Sequence, residues 1–318
     1  MTVTFAIVAV LFILISGASE GGALLATTLK FSRPRPSSGL LLLSGAVVAV
    51  PLLLGAHVAT TFASRLVTFD GPHGRTAMAV AVLAAFVVAG CITWTGRPTS
   101  LTLAIVGGLT GAGLGFGLPV SPGVLASVLA ISMVAPLVGA AVAVTVAHGL
   151  ARATGPNALL HVHRFGFGLQ CVAYAANDGQ KMLAVFAVMS SPVAAGAAVP
   201  APLPTLVLIA GLWLLGTVSA MARVGRTLGG RLVAVRPVHA VSAEIAAAGT
   251  VLGCAMAGTP VSLTQALAGG LAGAAARHGR ARVRWNIAGQ IVLAWLVTLP
   301  ASLLSAAAAA LLAQRALA

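Results

Sequence analysis

The sequence predicts an all-α polytopic membrane protein, and three observations carry that prediction. Of the 318 residues, 59% are hydrophobic and 7% charged, where a soluble domain has roughly a quarter charged. The apolar residues fall into runs of helical length separated by short gaps. Those gaps hold most of the 18 Lys and Arg residues, whereas the whole chain has 4 Asp and Glu. With a mean hydropathy of +1.06, the chain cannot cover itself in water. A soluble enzyme, a secreted disulfide domain and a disordered tail are thereby excluded. At about 20 apolar residues per span, the length accommodates about 10–12 transmembrane or re-entrant helices.

The runs lie at 3–29, 39–67, 76–96, 98–118, 122–150, 165–190, 203–222, 238–258, 260–276 and 285–313. The first resembles a signal peptide but lacks a basic n-region and stays apolar past any cleavage point, so it reads as a retained helix. The gaps between runs are basic: Lys30, Arg33 and Arg35; Arg65 and Arg75; Arg152 and Arg164; Arg223, Arg226, Arg231 and Arg236; Arg277, Arg280, Arg282 and Arg284. The exception is 191–203, which carries no charge. The positive-inside rule puts 223–236 and 30–35 in the cytoplasm and 191–203 outside, with the N-terminus outside. The same rule accounts for the net charge of +14, so no nucleic-acid partner is inferred; the partner is the lipid bilayer of the cell inner (cytoplasmic) membrane. Cys91, Cys171 and Cys254 each sit in an apolar stretch and read as small core residues.

The chain is internally repeated. PTSLTLAIVGGLTG from Pro98 matches PVSLTQALAGGLAG from Pro260 at nine of fourteen positions, with an offset of 162. ASEGGALLA from Ala18 and ANDGQKMLA from Ala176 form a second pair, offset by 158. Two matches in one order at nearly one offset indicate duplication. The expected organisation is a first repeat over 1–150 and a second over 151–318, forming a single integrated membrane domain. The loop after the first acidic motif is basic and its counterpart after the second is uncharged, so the repeats are expected to be inverted. Inverted duplication is common in secondary transporters, whose sites lie at the repeat interface on interrupted helices. A duplicated scaffold without a pathway is the alternative.

Three of the four acids, Glu20, Asp178 and Glu244, lie in apolar stretches, where an unpaired carboxylate costs several kcal/mol. Asp70 lies in a polar turn. Gly179 is expected to open the helix beside Asp178, and Lys181 to neutralise that aspartate from one turn on. Glycines on both sides of Glu20 suggest a second broken helix. For each acid the alternative is a structural hydrogen bond or a silent protonated group. PTSLT and PVSLT are expected to place a proline at each helix start. That puts Thr99, Ser100 and Thr102, and Ser262 and Thr264, in the first turns, where hydroxyls and free N–H groups favour an anion. The glycines at 107, 108, 111, 269, 270 and 273 allow close helix approach. The histidines offer no ligand spacing within a span; His161 and His163 read as part of a basic loop with Arg164, and His57, His148 and His239 as interfacial. No Walker loop, dinucleotide fingerprint or nucleophile elbow is present, so no enzyme is inferred.

ANDGQKMLAVF from Ala176, RPVHAVSAEIAAA from Arg236, GTPVSLTQALAGGLAG from Gly258 and VRWNIAGQIVLAWLVTLPA from Val283 resemble the second half of the PiT family of inorganic phosphate transporters. TWTGRPTSLTLAIVGGLTG from Thr93 and SGASEGGALLATT from Ser16 resemble its first half. The chain looks like a divergent member. The resemblance implies a symporter moving inorganic phosphate with Na⁺ or H⁺ by alternating access, with no cofactor beyond the coupling ion and a homodimer as a candidate assembly. Carried over, Thr99, Ser100, Thr102, Asn177, Gln180, Lys181, Ser262 and Thr264 bind substrate. Glu20, Asp178 and Glu244 serve the coupling ion, with Na⁺ at Glu20 and Asp178 in the sodium case. The chain departs from the pattern at Glu20, Ala23, Leu101, Leu103, Tyr174, Leu263 and Gln265, each a change in polarity or length at the presumed site. Sulfate or another tetrahedral oxyanion is the alternative substrate. A non-transporting membrane sensor or subunit is the alternative class.

Overall fold

The computed structural model describes residues 2–21, 36–95, 99–153, 156–224, 236–277, 279 and 283–317. Among them there is no strand, and an isolated antiparallel bridge pairs Val67 with Val120. The helices are α1 (Val3–Ser16), α2 (Pro36–Leu54), α3 (His57–Thr60), α4 (Gly74–Trp94), α5 (Leu101–Gly115), α6 (Pro122–Ala153), α7 (Pro156–Tyr174), α8 (Gln180–Ser190), α9 (Leu203–Val224), α10 (Pro237–Met256), α11 (Leu263–Ala276) and α12 (Trp285–Leu317). Among the described residues, six helical stretches are long and apolar enough to cross a membrane, in α1, α2, α4, α6, α10 and α12. Their outward faces are apolar as lipid requires. On α1, for example, Val3, Ile7, Leu11 and Ile15 recur every four residues and are exposed, while Ala9, Phe12 and Ile13 are buried. The chain is a multi-pass membrane protein.

The two repeated segments form short helices. At 1.5 Å per residue, α5 and α11 reach about 22 Å, less than the roughly 30 Å hydrocarbon core. Each is buried by a helix from the other half of the chain: α5 packs on α4 and α12, and α11 on α10 and α6. Gly107 and Gly111 lie against the Leu299 and Leu303 carbonyls of α12, and Gly269 and Gly273 against the Pro136 and Ala140 carbonyls of α6. Gly108 faces Ala81 of α4 just as Gly270 faces Ala243 of α10. The same small-residue contacts thus recur 162 positions apart, tying each short helix to both halves of the sequence.

Three expectations about helix shape are corrected. The run 39–67 is not one helix: α2 ends at Leu54, Gly55 turns with φ +80°, and α3 begins at His57. The helix at Asp178 is not broken by its glycine, and at Glu20 the helix continues to Gly21, the residues from Gly22 lying outside those described. Gly179 has right-handed helical angles of φ −58° and ψ −39°, and the extra residue is absorbed as a π turn over Ala175–Gly179. A matching π turn spans Gly17–Gly21. A π turn widens the helix while keeping its backbone bonded, which costs less in lipid than an open break. Nor does proline start the short helices. Ser100 and Ser262 are the N-caps, accepting from the amides of Leu103 and Gln265, and Pro260 lies two residues before its cap. Pro98, Ala23, and the loops 30–35 and 225–235 used for the topology, fall outside the described residues.

Candidate functional site

The π turn of 175–179 and the first turn of α8 carry the chemistry. Lys181 is 1% exposed, and its ammonium donates to three oxygens from three parts of the chain. One is Asp178, one turn earlier. The second is Glu20 Oε1 at 3.2 Å, on the π turn that follows α1. The third is Thr102 Oγ1 at 3.2 Å, in the first turn of α5. All three ammonium hydrogens therefore have acceptors, the condition under which a buried lysine stays charged in apolar surroundings. Glu20 Oε2 accepts from Tyr174 OH at 3.3 Å, and Tyr174 OH accepts from Trp213 Nε1 of α9 at 2.8 Å. With both carboxylates ionised the group carries one net negative charge, two acids against one base.

Asn177 faces the other repeated segment. Its Nδ2 donates to the Val261 carbonyl and its Oδ1 accepts the Val261 amide at 3.0 Å. Val261 immediately precedes Ser262, the cap of α11. Asn177 and Lys181 are four positions apart, neighbours on one helix face at about 5–6 Å. One helical turn therefore holds the starts of both short helices, α5 through Lys181 and α11 through Asn177. A helix start presents unpaired amides and the positive end of its dipole. Around this turn stand Ser100, Thr102 and Ser262, all buried, with Thr264 Oγ1 2.8 Å from Ser262 Oγ.

Other expected members of the site have different work. Gln180 binds no open space: its Oε1 accepts from the amides of Val58 and Ala59 at 2.8 and 3.1 Å, and its Nε2 donates to the Gly55 carbonyl at 2.8 Å. It closes the gap between α2 and α3, a cap supplied from a distant helix. Gln180→Ala would leave the buried amides of Val58 and Ala59 unsatisfied at about 1–3 kcal/mol each, and the half-buried Gly55 carbonyl without its donor. A marked fall in thermal stability of purified protein is expected, larger than for the exposed substitution Ser127→Ala. Thr99 precedes the cap of α5 instead of entering its first turn, and its hydroxyl meets Thr298 Oγ1 of α12 at 2.6 Å. Glu244 is not at the Lys181 cluster. It is bonded to His163 at 2.7 Å, and His163 lies fifteen residues before Asp178 on the same helical column, about 22 Å along it.

Two features were missed in the sequence. His163 belongs to no basic loop; it is 2% exposed within α7. Its signal was present, since His161 and Arg164 are exposed neighbours on other faces of the same helix. Trp213, fully buried on α9, gave no signal, because a tryptophan in an apolar run resembles any other core residue.

Residues 161–306 match the phosphate transporter family (PHO4). A Rhizobium meliloti protein described as "Probable low-affinity inorganic phosphate transporter" is 30% identical over 268 residues, covering 80% of this chain and 79% of that protein. This chain belongs to the phosphate transporter family. A Mycobacterium tuberculosis relative of the same description is 33% identical over 272 residues. The chain spans 65% of the length of that mycobacterial relative. The fold agrees with that of a solved structure titled "The sodium-dependent phosphate transporter", with a TM-score of 0.75 at 16% identity over 98% of this chain and 99% of the other. The family and the relatives are described as transporters, not as enzymes.

Proposed function

We propose that this protein is an ion-coupled symporter that moves inorganic phosphate across the cytoplasmic membrane by alternating access. The observation that carries the proposal is the single helical turn Asn177–Lys181, hydrogen-bonded to the starts of both short helices. In this reading the repeats, 1–150 and 151–318, act as one membrane domain, and the anion binds between the two helix starts. Thr102, Ser262 and Thr264 supply hydroxyls, Ser100 and Ser262 hold the first turns, and Lys181 supplies the positive charge. Asn177 fixes the approach of α11. Glu20 and Asp178 hold the coupling cation, Na⁺ or H⁺, whose charge offsets the net negative charge of the cluster. Ion and anion then favour one another in a shared closed state, which is all that coupling requires. The relatives' descriptions as phosphate transporters support the choice of substrate.

Uptake of labelled phosphate into proteoliposomes tests it, with an imposed Na⁺ or proton gradient and sulfate as competitor. Gradient-driven accumulation that excess sulfate does not suppress is expected. Sulfate accumulation resistant to phosphate would reassign the substrate, and no accumulation of either anion by folded protein would overturn transport. Asp178→Asn is expected to abolish uptake while the protein still reaches the membrane. Undiminished uptake in that variant would remove Asp178 from the mechanism.

A further inference from the structure

We propose that the buried His163–Glu244 pair is a proton-binding site in its own right, separate from the Lys181 cluster. His163 Nδ1 and Glu244 Oε2 are 2.7 Å apart, and both side chains are 2% exposed. The pair joins α7 to α10, so it links the column bearing Asp178 and Lys181 to the helix that leads into α11. Glu244 lies against the bare backbone of Gly166, where a Cβ would stand 3.8 Å from Oε2 and 3.2 Å from Ile245 Cγ1. Its second oxygen, Oε1, is buried with no hydrogen-bond partner among the described residues.

The equivalent positions of the first half carry no ionisable group. By the offset of 158 that relates α1 to α7, His163 corresponds to Phe5; by the offset of 162 that relates α4 to α10, Glu244 corresponds to Val82. Val82 is buried and Phe5 packs against the core, and α1 and α4 are in contact. The first half therefore folds with apolar residues at both positions. Burying an imidazole and a carboxylate in the second half costs more than two apolar side chains would. The chemistry gained is the ability to hold a proton. With one proton the pair is neutral, as imidazole with carboxylic acid or as imidazolium with carboxylate. Without it the pair carries one negative charge in an apolar environment.

Among the described residues, few other charges stand on the elements around the pair. On α7 His161 and Arg164 are exposed, and on α10 Arg236 is exposed while His239 is buried five residues before Glu244. On α6, His148 Nδ1 is bonded to the Val144 carbonyl and Arg152 is exposed. On α11, Arg277 donates to the Ala147 carbonyl of α6, and α2 has no ionisable residue. Asp178, His57 of α3, and Arg65 in the π turn Thr61–Arg65 that follows α3, lie toward the opposite end of the column, Arg65 being near Gly258.

The test compares wild type with His163→Gln/Glu244→Gln, which keeps two hydrogen-bonding side chains and removes both ionisable groups. Thermal unfolding of purified protein in detergent, without phosphate, is followed between about pH 5 and 8, where histidine changes charge. One proton bound in only one of two states changes an equilibrium constant by up to about tenfold per pH unit. Wild type should show that component, the double variant should lose it, and His148→Gln should keep it. Identical pH profiles in wild type and double variant would overturn the proposal. If the double variant does not fold, His163→Phe/Glu244→Val replaces it with the residues that stand at the equivalent first-half positions. A pH-difference infrared spectrum of wild type gives a further check, since a buried carboxyl band that responds to pH must vanish in Glu244→Gln. None of these readouts requires transport, so failure of the transport reading would be seen separately.

Discussion

Lys181→Met is expected to abolish transport and to destabilise the folded protein by about 3–5 kcal/mol, the usual result of removing one partner from a buried ionic group. The variant leaves Asp178 and Glu20 facing each other around an uncharged side chain, and Thr102 loses its donor. Unfolding temperature and proteoliposome uptake measure the two effects. Neutralising the acids as well, in Lys181→Met/Glu20→Gln/Asp178→Asn, should recover much of the stability without uptake, because the charge imbalance is gone while the ion site is lost. Lys181→Arg should not restore uptake. A planar guanidinium cannot place a point charge at the meeting of three oxygens arranged around an ammonium. Wild-type uptake in Lys181→Met would remove the lysine from both roles.

Gly111→Ala and Gly269→Ala are expected to prevent normal folding. An added Cβ would lie 2.0 Å from the Leu303 carbonyl oxygen in the first case and 2.0 Å from that of Pro136 in the second. The obstructing atoms are backbone in long helices, so no side-chain rotation relieves them; α5 must part from α12, or α11 from α6. In a membrane, helix association rests on this close packing, because lipid offers no hydrophobic drive to replace it. Gly90→Ala is the control, since its Cβ meets no atom within 4 Å. The yield of monodisperse protein after extraction distinguishes the cases. Equal yields for Gly111→Ala and Gly90→Ala would show that α5 can shift without loss of the fold.

Membrane residence and the helical class were legible in the sequence because each rests on a local pattern. Apolar runs of spanning length need no knowledge of their neighbours, and the repeated PTSLT and PVSLT segments announce themselves at a fixed offset. Glu20, Asp178 and Lys181 were also legible, since charge inside an apolar run is expensive wherever it folds. Their meeting was legible in part: Asp178 and Lys181 share one turn, whereas Glu20 reaches Lys181 through the packing of α1 against α8, and Thr102 through α5, which rests on α4, itself packed on α8. Gln180 and Glu244 show what a linear reading cannot supply. Gln180 stands in the acidic motif beside Lys181, yet the next position on a helix points about 100° away, and that rotation aims its amide at the gap between α2 and α3. Glu244 shares the burial and chemistry of the other acids, but its place on α10 puts it beside His163, far along the column from the cluster. A sequence records which side chains must find partners. Which partner each finds depends on the rotation and crossing of helices distant in the chain, and only the tertiary structure decides that.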